Sequence, residues 1–187
     1  MKTTVYFLRH AQSDNSVKDD MLRPLTGKGL HDRHKVTEYL RDKAIAAVYS
    51  SPYQRAIDTV RPLSELLGLR VVTDFGFRER DLGDSGEIPN FKKRQWLDKD
   101  FSAPGGESVR QVQQRIVTAL KPLIKKHEGQ SIVIGCHGMA MCALTNFFDA
   151  SFEYEAYISV SDIMPRIVEL VFEDDKCVLL KQIDTFE

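Results

Sequence analysis

Short apolar runs that each give way to an amphipathic stretch recur along this chain, and that alternation leaves few folds open to it. Residues 5–8 (VYFL) are strand formers, and beyond Pro24 residues 26–43 carry Leu30, Val36, Tyr39 and Leu40 at helical spacing. A second run over residues 44–49 is followed by Ser51-Pro52, a helix-start signal, and by Tyr53, Ile57, Val60, Leu63 and Leu67 at steps of three or four, with Pro62 expected to kink the helix. Residues 69–73 read as a third strand. Ser108 and Gln111 form a capping box ahead of a helix whose inner stripe is Val109, Val112, Ile116, Ala119, Leu120 and Leu123 and which ends near Gly129. Residues 132–134 are the most apolar strand core, and 138–148 follow as a helix. Residues 156–160 read as a strand, and 167–172 with 177–183 flank Glu173-Asp174-Asp175-Lys176 as a terminal hairpin. Strands alternating with helices require right-handed crossovers and a mostly parallel sheet covered on both faces, so the fold class is α/β.

The length of 187 residues suits one domain over residues 1–187, long enough to bury about 70% of its unfolded surface without staples. Residues 74–107 lack steady periodicity and hold Gly76, Gly83, Gly86, Pro89, Pro104, Gly105 and Gly106, and a long irregular stretch of this kind is expected to cover a pocket. The net charge of −1 offers no field for nucleic acid or an anionic membrane, so neither is an expected partner. Cys136, Cys142 and Cys177 show no C-x-x-C spacing, and no stretch approaches 18 apolar residues, which together read as a cytoplasmic protein.

In such sheets ligands bind beyond the carboxyl ends of the strands, which makes the residues at those ends the candidates. The first run stops at Arg9-His10, Arg55 lies one turn into the helix after the second, and IVIGC stops at His137-Gly138. Each has an ordinary structural reading when taken singly. Together they set two arginines and two histidines on one rim, where helix N-termini add partial positive charge, and clustered cations of this kind have no stability rationale of their own. A phosphate monoester dianion satisfies them: Arg forks onto phosphoryl oxygens, and two imidazoles can divide attack from charge stabilisation.

The motifs FLRHAQS, LTGKG, SSPYQRAIDTV, FRERDLGD, PGGES and VIGCHGM, in that order, resemble those of the histidine phosphatase superfamily, also called phosphoglycerate mutase-like. The resemblance spans nearly the whole chain. It implies a three-layer αβα sandwich and a metal-independent phosphomonoester hydrolase acting through phosphohistidine, without a cofactor or metal. His10 is then the nucleophile, Arg9 and Arg55 the phosphate clamp, His137 the protonated partner that donates to the phosphoryl oxygens, and Glu79 the proton donor. Glu79 competes for that role with Asp81, Glu87 and Glu107. Gly138 is expected to contribute to phosphate binding. Ser16 stands where the family has Asn and Asn15 precedes it, so the loop phosphate contact falls to one or the other; Ala11 replaces a Gly, and Asp84-Ser85-Gly86-Glu87 departs from the usual aromatic-Glu-Gly. The implied partner is a small-molecule phosphate ester, with a phosphoprotein as the other possibility. Two alternatives remain open at this stage, a phosphomutase and a phospho-ligand-binding module without turnover.

Other chemistries lack their groups. No Cys is followed by Arg six positions on, as a cysteine phosphatase needs, and Asp98 to Ser102 follow FKKRQWL and not an apolar strand. His31 and His34 have no third ligand nearby. Lys92, Lys93, Arg94 and Trp96 form a basic and aromatic patch that reads as a solvated face, or as a contact to the distal part of a substrate if 74–107 covers the pocket.

Overall fold

A computed structural model describes residues 1–183 of the protein; the last four residues of the expected domain, 184–187, lie outside the described residues. The elements run β1 (Lys2–Arg9), α1 (Gly27–Leu40), β2 (Ile45–Ser50), α2 (Gln54–Leu66), β3 (Val71–Thr73), a 3-10 turn (Phe75–Phe77), α3 (Phe91–Leu97), α4 (Val109–Lys126), β4 (Ser131–Cys136), α5 (Gly138–Phe148), α6 (Tyr154–Val160), β5 (Arg166–Glu173) and β6 (Lys176–Ile183). The strands form one sheet in the order β3-β2-β4-β1-β5-β6. β1, β2, β3 and β4 pair in parallel, whereas β5 runs antiparallel to both β1 and β6. The α/β class and the terminal hairpin are thus as expected.

Alternation along the strands builds the layers, because successive side chains face opposite sides of a sheet. Tyr6, Leu8, Val48, Val133 and Ile167 join Val36 and Leu40 of α1 and Val60 and Leu63 of α2 in one buried cluster. Val5, Phe7, Ile132, Ile134 and Val168 join Ile116 and Leu120 of α4 and the whole buried run of α5 in a second. The three layers follow from these two clusters. α4 begins with the expected capping box, Ser108 Oγ accepting from the Gln111 N–H while the Gln111 side chain accepts from the Ser108 N–H.

Two expectations need correction. Residues 156–160 are helical and belong to α6, because Tyr157 and Val160, three apart, are the buried positions, and Tyr157 stacks on Trp96 at 5.4 Å; a five-residue apolar run does not separate the two periods. The irregular segment 74–107 contains the 3-10 turn and α3. Pro62 lies within α2, the helix in which the sequence places it.

Candidate active site

Strand order brings the rim together. The chain lays down β1, β2 and β3 with α1 and α2 on one face, then returns through α4 on the other face and inserts β4 between β2 and β1. The register pairs Arg9 with Cys136 and Ser50 with Gly135, so His10, His137 and Ser51 leave three neighbouring strands at one height. The His10 N–H donates to Cys136 O at 3.0 Å and the Ser51 N–H to Gly135 O at 2.8 Å, which extends the ladder past the carboxyl ends of the strands. Arg55 then projects from the first turn of α2, and Thr59 of the same helix accepts from the Ala11 N–H at 3.0 Å, pinning the turn after His10.

His10 and His137 are both buried, with ring centroids 5.3 Å apart. His10 Nδ1 lies 2.7 Å from Ala11 O, and a carbonyl only accepts, so Nδ1 carries the proton. Nε2 therefore keeps its lone pair, and Arg55 Nε donates to it at 3.2 Å. Burial, then the Arg55 guanidinium, lowers the His10 pKa from 6.5 to about 3, which leaves a neutral imidazole with an unprotonated Nε2 at ordinary pH. His137 Nε2 is 2.7 Å from Ser51 Oγ, while its buried Nδ1 has no hydrogen-bond partner. Burial and the adjacent His10 and Arg55 push the His137 pKa well below its ordinary value, which favours the neutral imidazole.

The remaining cations are posed around this pair. Arg9 Nη1 donates to Val160 O at 3.2 Å and Ile163 O at 2.9 Å, and its buried Nε is unsatisfied. A Cβ on Gly138 would meet the Arg9 guanidinium at 3.0 Å, so the first residue of α5 has to be this small for Arg9 to lie across the helix start. Arg55 also donates to the Asp20 backbone carbonyl and pairs with the Asp20 carboxylate at 3.3 Å. Glu79 reaches the same place from the other side, its carboxylate accepting from the N–H groups of Met139 at 3.1 Å and Ala140 at 3.0 Å in the first turn of α5. Arg9, His10, Asn15, Asp20, Arg55, Glu79 and Gly138 all line one cleft of about 1020 Å³, which is larger than a phosphate group needs and leaves room for the organic part of an ester.

A model of the histidine phosphatase superfamily (branch 1) matches residues 5–185. The chain belongs to this superfamily. Among its relatives, the "uncharacterized phosphatase PhoE" of Bacillus subtilis is 28% identical over 148 residues, covering 76% of this chain and 75% of that one. The "probable phosphoglycerate mutase GpmB" of Salmonella typhi is 26% identical over 156 residues, covering 76% and 73%. Among solved structures, a phosphoserine phosphatase mutant from Entamoeba histolytica in complex with phosphoserine superposes with a TM-score of 0.80 at 17% identity over 99% of this chain and 98% of the other. A mycobacterial glucosyl-3-phosphoglycerate phosphatase superposes with a TM-score of 0.76 at 20% identity over 100% and 99%. At these identities the two structures establish the histidine phosphatase fold.

Two loop residues left open by the sequence are separated by the structure. Ser16 donates from both N–H and Oγ to Asp14 Oδ1 at 2.9 and 2.7 Å and does not line the cleft, whereas Asn15 does. In the basic and aromatic patch, Lys92 lines the cleft, Trp96 is buried against Tyr157, and Lys93 and Arg94 sit over the rings of Tyr154 and Phe101. Of the competitors for the acid role, Asp81 lines the cleft, Glu87 does not, and Glu107 is bound into an ion pair with Arg115 at 2.8 Å. Sequence reading assigned no site role to Ser51, Tyr53 or Asp20. Tyr53 lies beneath Arg55, two residues on, and packs its ring at 5.0 Å from His137, a contact that only the strand order creates. Among the described residues no group of three or more His, Cys, Asp or Glu could hold a metal ion, and no helix is long and apolar enough to cross a membrane.

The buried neutral histidine has a cost that depends on pH. The unfolded chain takes up a proton near pH 6.5 that folded His10 refuses until about pH 3, so stability is lost as pH falls through that window. At pH 5 the loss from His10 alone is about 2 kcal/mol relative to pH 8. Urea unfolding at pH 7.5 and pH 5 is expected to show a smaller acid-induced drop for His10→Asn than for the wild type; equal drops would mean that His10 is not buried in the neutral form.

Proposed function

We propose that this protein hydrolyses small phosphate monoesters through a phosphohistidine on His10. The observation that carries the reading is the unprotonated Nε2 of His10, fixed by the Nδ1 contact to Ala11 O and lying in the cleft wall beside Arg55 and close to His137. The phosphoryl dianion takes the place of the Asp20 carboxylate at Arg55, and Arg9 and the start of α5 at Gly138 complete the clamp. Asn15 closes over it from the loop. Nε2 attacks phosphorus in line, the bond from phosphorus to the ester oxygen breaks, and Glu79 gives its proton to the departing oxygen. Binding of the dianion restores the proton of His137, which then donates to the phosphoryl oxygens. Water next attacks the phosphorus, Glu79 takes its proton, and the N–P bond breaks to release inorganic phosphate and the free imidazole. None of these steps calls on a metal or a redox cofactor.

Lys92, Arg80 and Tyr157, which line the same cleft, meet the organic part of the ester. The three free cysteines, two of them buried, suit a cytoplasmic setting.

The similarity to GpmB favours a second reading, a phosphomutase that returns the phosphoryl group to its acceptor. One experiment separates the two. Rapid-quench mixing with 3-phosphoglycerate and with a generic aryl phosphate is expected to trap acid-labile, alkali-stable phosphate on the protein and then to release inorganic phosphate stoichiometrically. Formation of 2-phosphoglycerate in place of inorganic phosphate would establish the mutase, and the absence of protein-bound phosphate with no turnover would reduce the site to a phosphate-binding pocket.

A further inference from the structure

We propose that Glu107 is the positioning residue that aims Glu79, and this rests on the reading of Glu79 as the proton donor. Its carboxylate is the meeting point of the whole acid-bearing segment. Arg115 of α4 forks onto it, Nε to Oε1 and Nη2 to Oε2, both at 2.8 Å. Arg78 Nη2 donates to Oε1 at 2.9 Å and the Asp81 N–H to Oε2 at 3.0 Å. The third Arg115 nitrogen, Nη1, donates to the backbone carbonyls of Gly76 at 2.9 Å and Arg78 at 3.1 Å. The Glu107 N–H donates to Asp81 O at 2.9 Å. The residue before Glu79 and the residue two after it are thereby tied to one side chain on the far strand of the loop, while the Glu79 carboxylate is caught at the start of α5.

The loop backbone is shaped for this approach. Gly83 adopts φ +54, and a Cβ there would lie 2.3 Å from Pro104 O, so residues 81–84 and 104–107 run against each other without room for a side chain at the crossing. Both partners of the fork are largely shielded, with side-chain exposure of 13% for Arg115 and 15% for Glu107. Burial alone pushes the Glu107 carboxyl up, but hydrogen bonds from Arg115 and Asp81 and the charges of Arg115 and Arg78 hold it below its ordinary value. Removing that charge leaves two guanidinium groups facing each other beside Glu79, and the segment from 78 to 81 has to shift to separate them.

The test is the leaving-group dependence of kcat/KM, because a proton donor matters for a basic alkoxide and little for an acidic phenol. Glu107→Gln keeps the shape and removes the charge. With an alkyl phosphate such as glycerol phosphate the variant is expected to lose about 10²-fold, the scale of a misplacement near 1 Å, and with p-nitrophenyl phosphate less than about threefold. Added to Glu79→Gln, it is expected to cost nothing further with the alkyl ester. Equal losses on both esters, or additive losses in the double variant, would overturn the positioning role in favour of a structural one. If Glu107→Gln fails a thermal-unfolding check, Arg115→Lys, which retains the charge but not the fork, is expected to give the same split, and an unsplit loss there overturns the proposal. A split seen in Glu79→Gln but absent in Glu107→Gln sinks this inference alone. No split in Glu79→Gln itself sinks the acid assignment, and this inference with it.

Discussion

His10→Ala is expected to lower phosphomonoester turnover by roughly 10⁴-fold or more, the largest effect of any single change in the protein, since removal of a covalent nucleophile forfeits both halves of the reaction. Binding should survive, because Arg9, Arg55 and the start of α5 are untouched and the clamp recognises the phosphoryl group without the imidazole. Neither nearby cysteine can substitute. Burial pushes the Cys142 thiol in the cleft wall up to about 11, and burial likewise raises the Cys136 thiol, whose side chain packs with the core on the α4 and α5 face. A thiolate is the nucleophilic form, and neither is one at neutral pH. The assay pairs steady-state hydrolysis with the acid-labile phosphoprotein, and turnover retained by the purified variant would remove His10 from the mechanism.

Glu79→Gln should produce the next largest loss, but a selective one. With an alkyl phosphate the departing alkoxide needs a proton in the transition state, and losing the acid costs about 10²–10⁴-fold. With p-nitrophenyl phosphate the leaving oxygen departs as a weakly basic anion, so the first step is spared and only the activation of water in the second suffers. The Gln amide also sets an N–H group against the N–H groups of Met139 and Ala140, where the carboxylate oxygens accept. Any disturbance from that clash falls on both esters alike, so the difference between esters isolates the proton. Measured as the slope of log kcat/KM against leaving-group pKa, the variant should become steeper; an unchanged slope would show that Glu79 does not donate.

The position of Glu107 shows why composition and motif alone left four carboxylates competing for that role. All four lie in residues 74–107, where no periodicity separates inward from outward positions. Only the packing of this segment on α4 and α5 distinguishes them, with Glu79 at the α5 start, Glu107 in the Arg115 fork and Asp81 at the wall. Asn15 and Ser16 were ambiguous for a similar reason. The two differ by one position in a turn, and Asp14 decides between them by taking both donors of Ser16.

α6 marks the opposite limit. Its five-residue apolar core is compatible with either period, and what makes it a helix is a tertiary partner, Trp96, that lies some sixty residues away and stacks on Tyr157. Where a stretch is longer the local pattern suffices, as with α4, whose capping box and stripe were both legible in the residues themselves.

From the amino acids alone come the α/β class, the main strands and helices, the terminal hairpin and the cations at the strand ends, because periodicity, caps and motif order are local properties written in contiguous residues. What folding in three dimensions decided is their meeting. β4 enters between β2 and β1, which places His137 beside His10, gives it Ser51 as a partner, and turns Arg55 onto Nε2 with Asp20 behind it. Sheet order and register join residues far apart in the chain, and no local pattern carries that information, because it depends on which apolar surfaces bury against each other when the layers close.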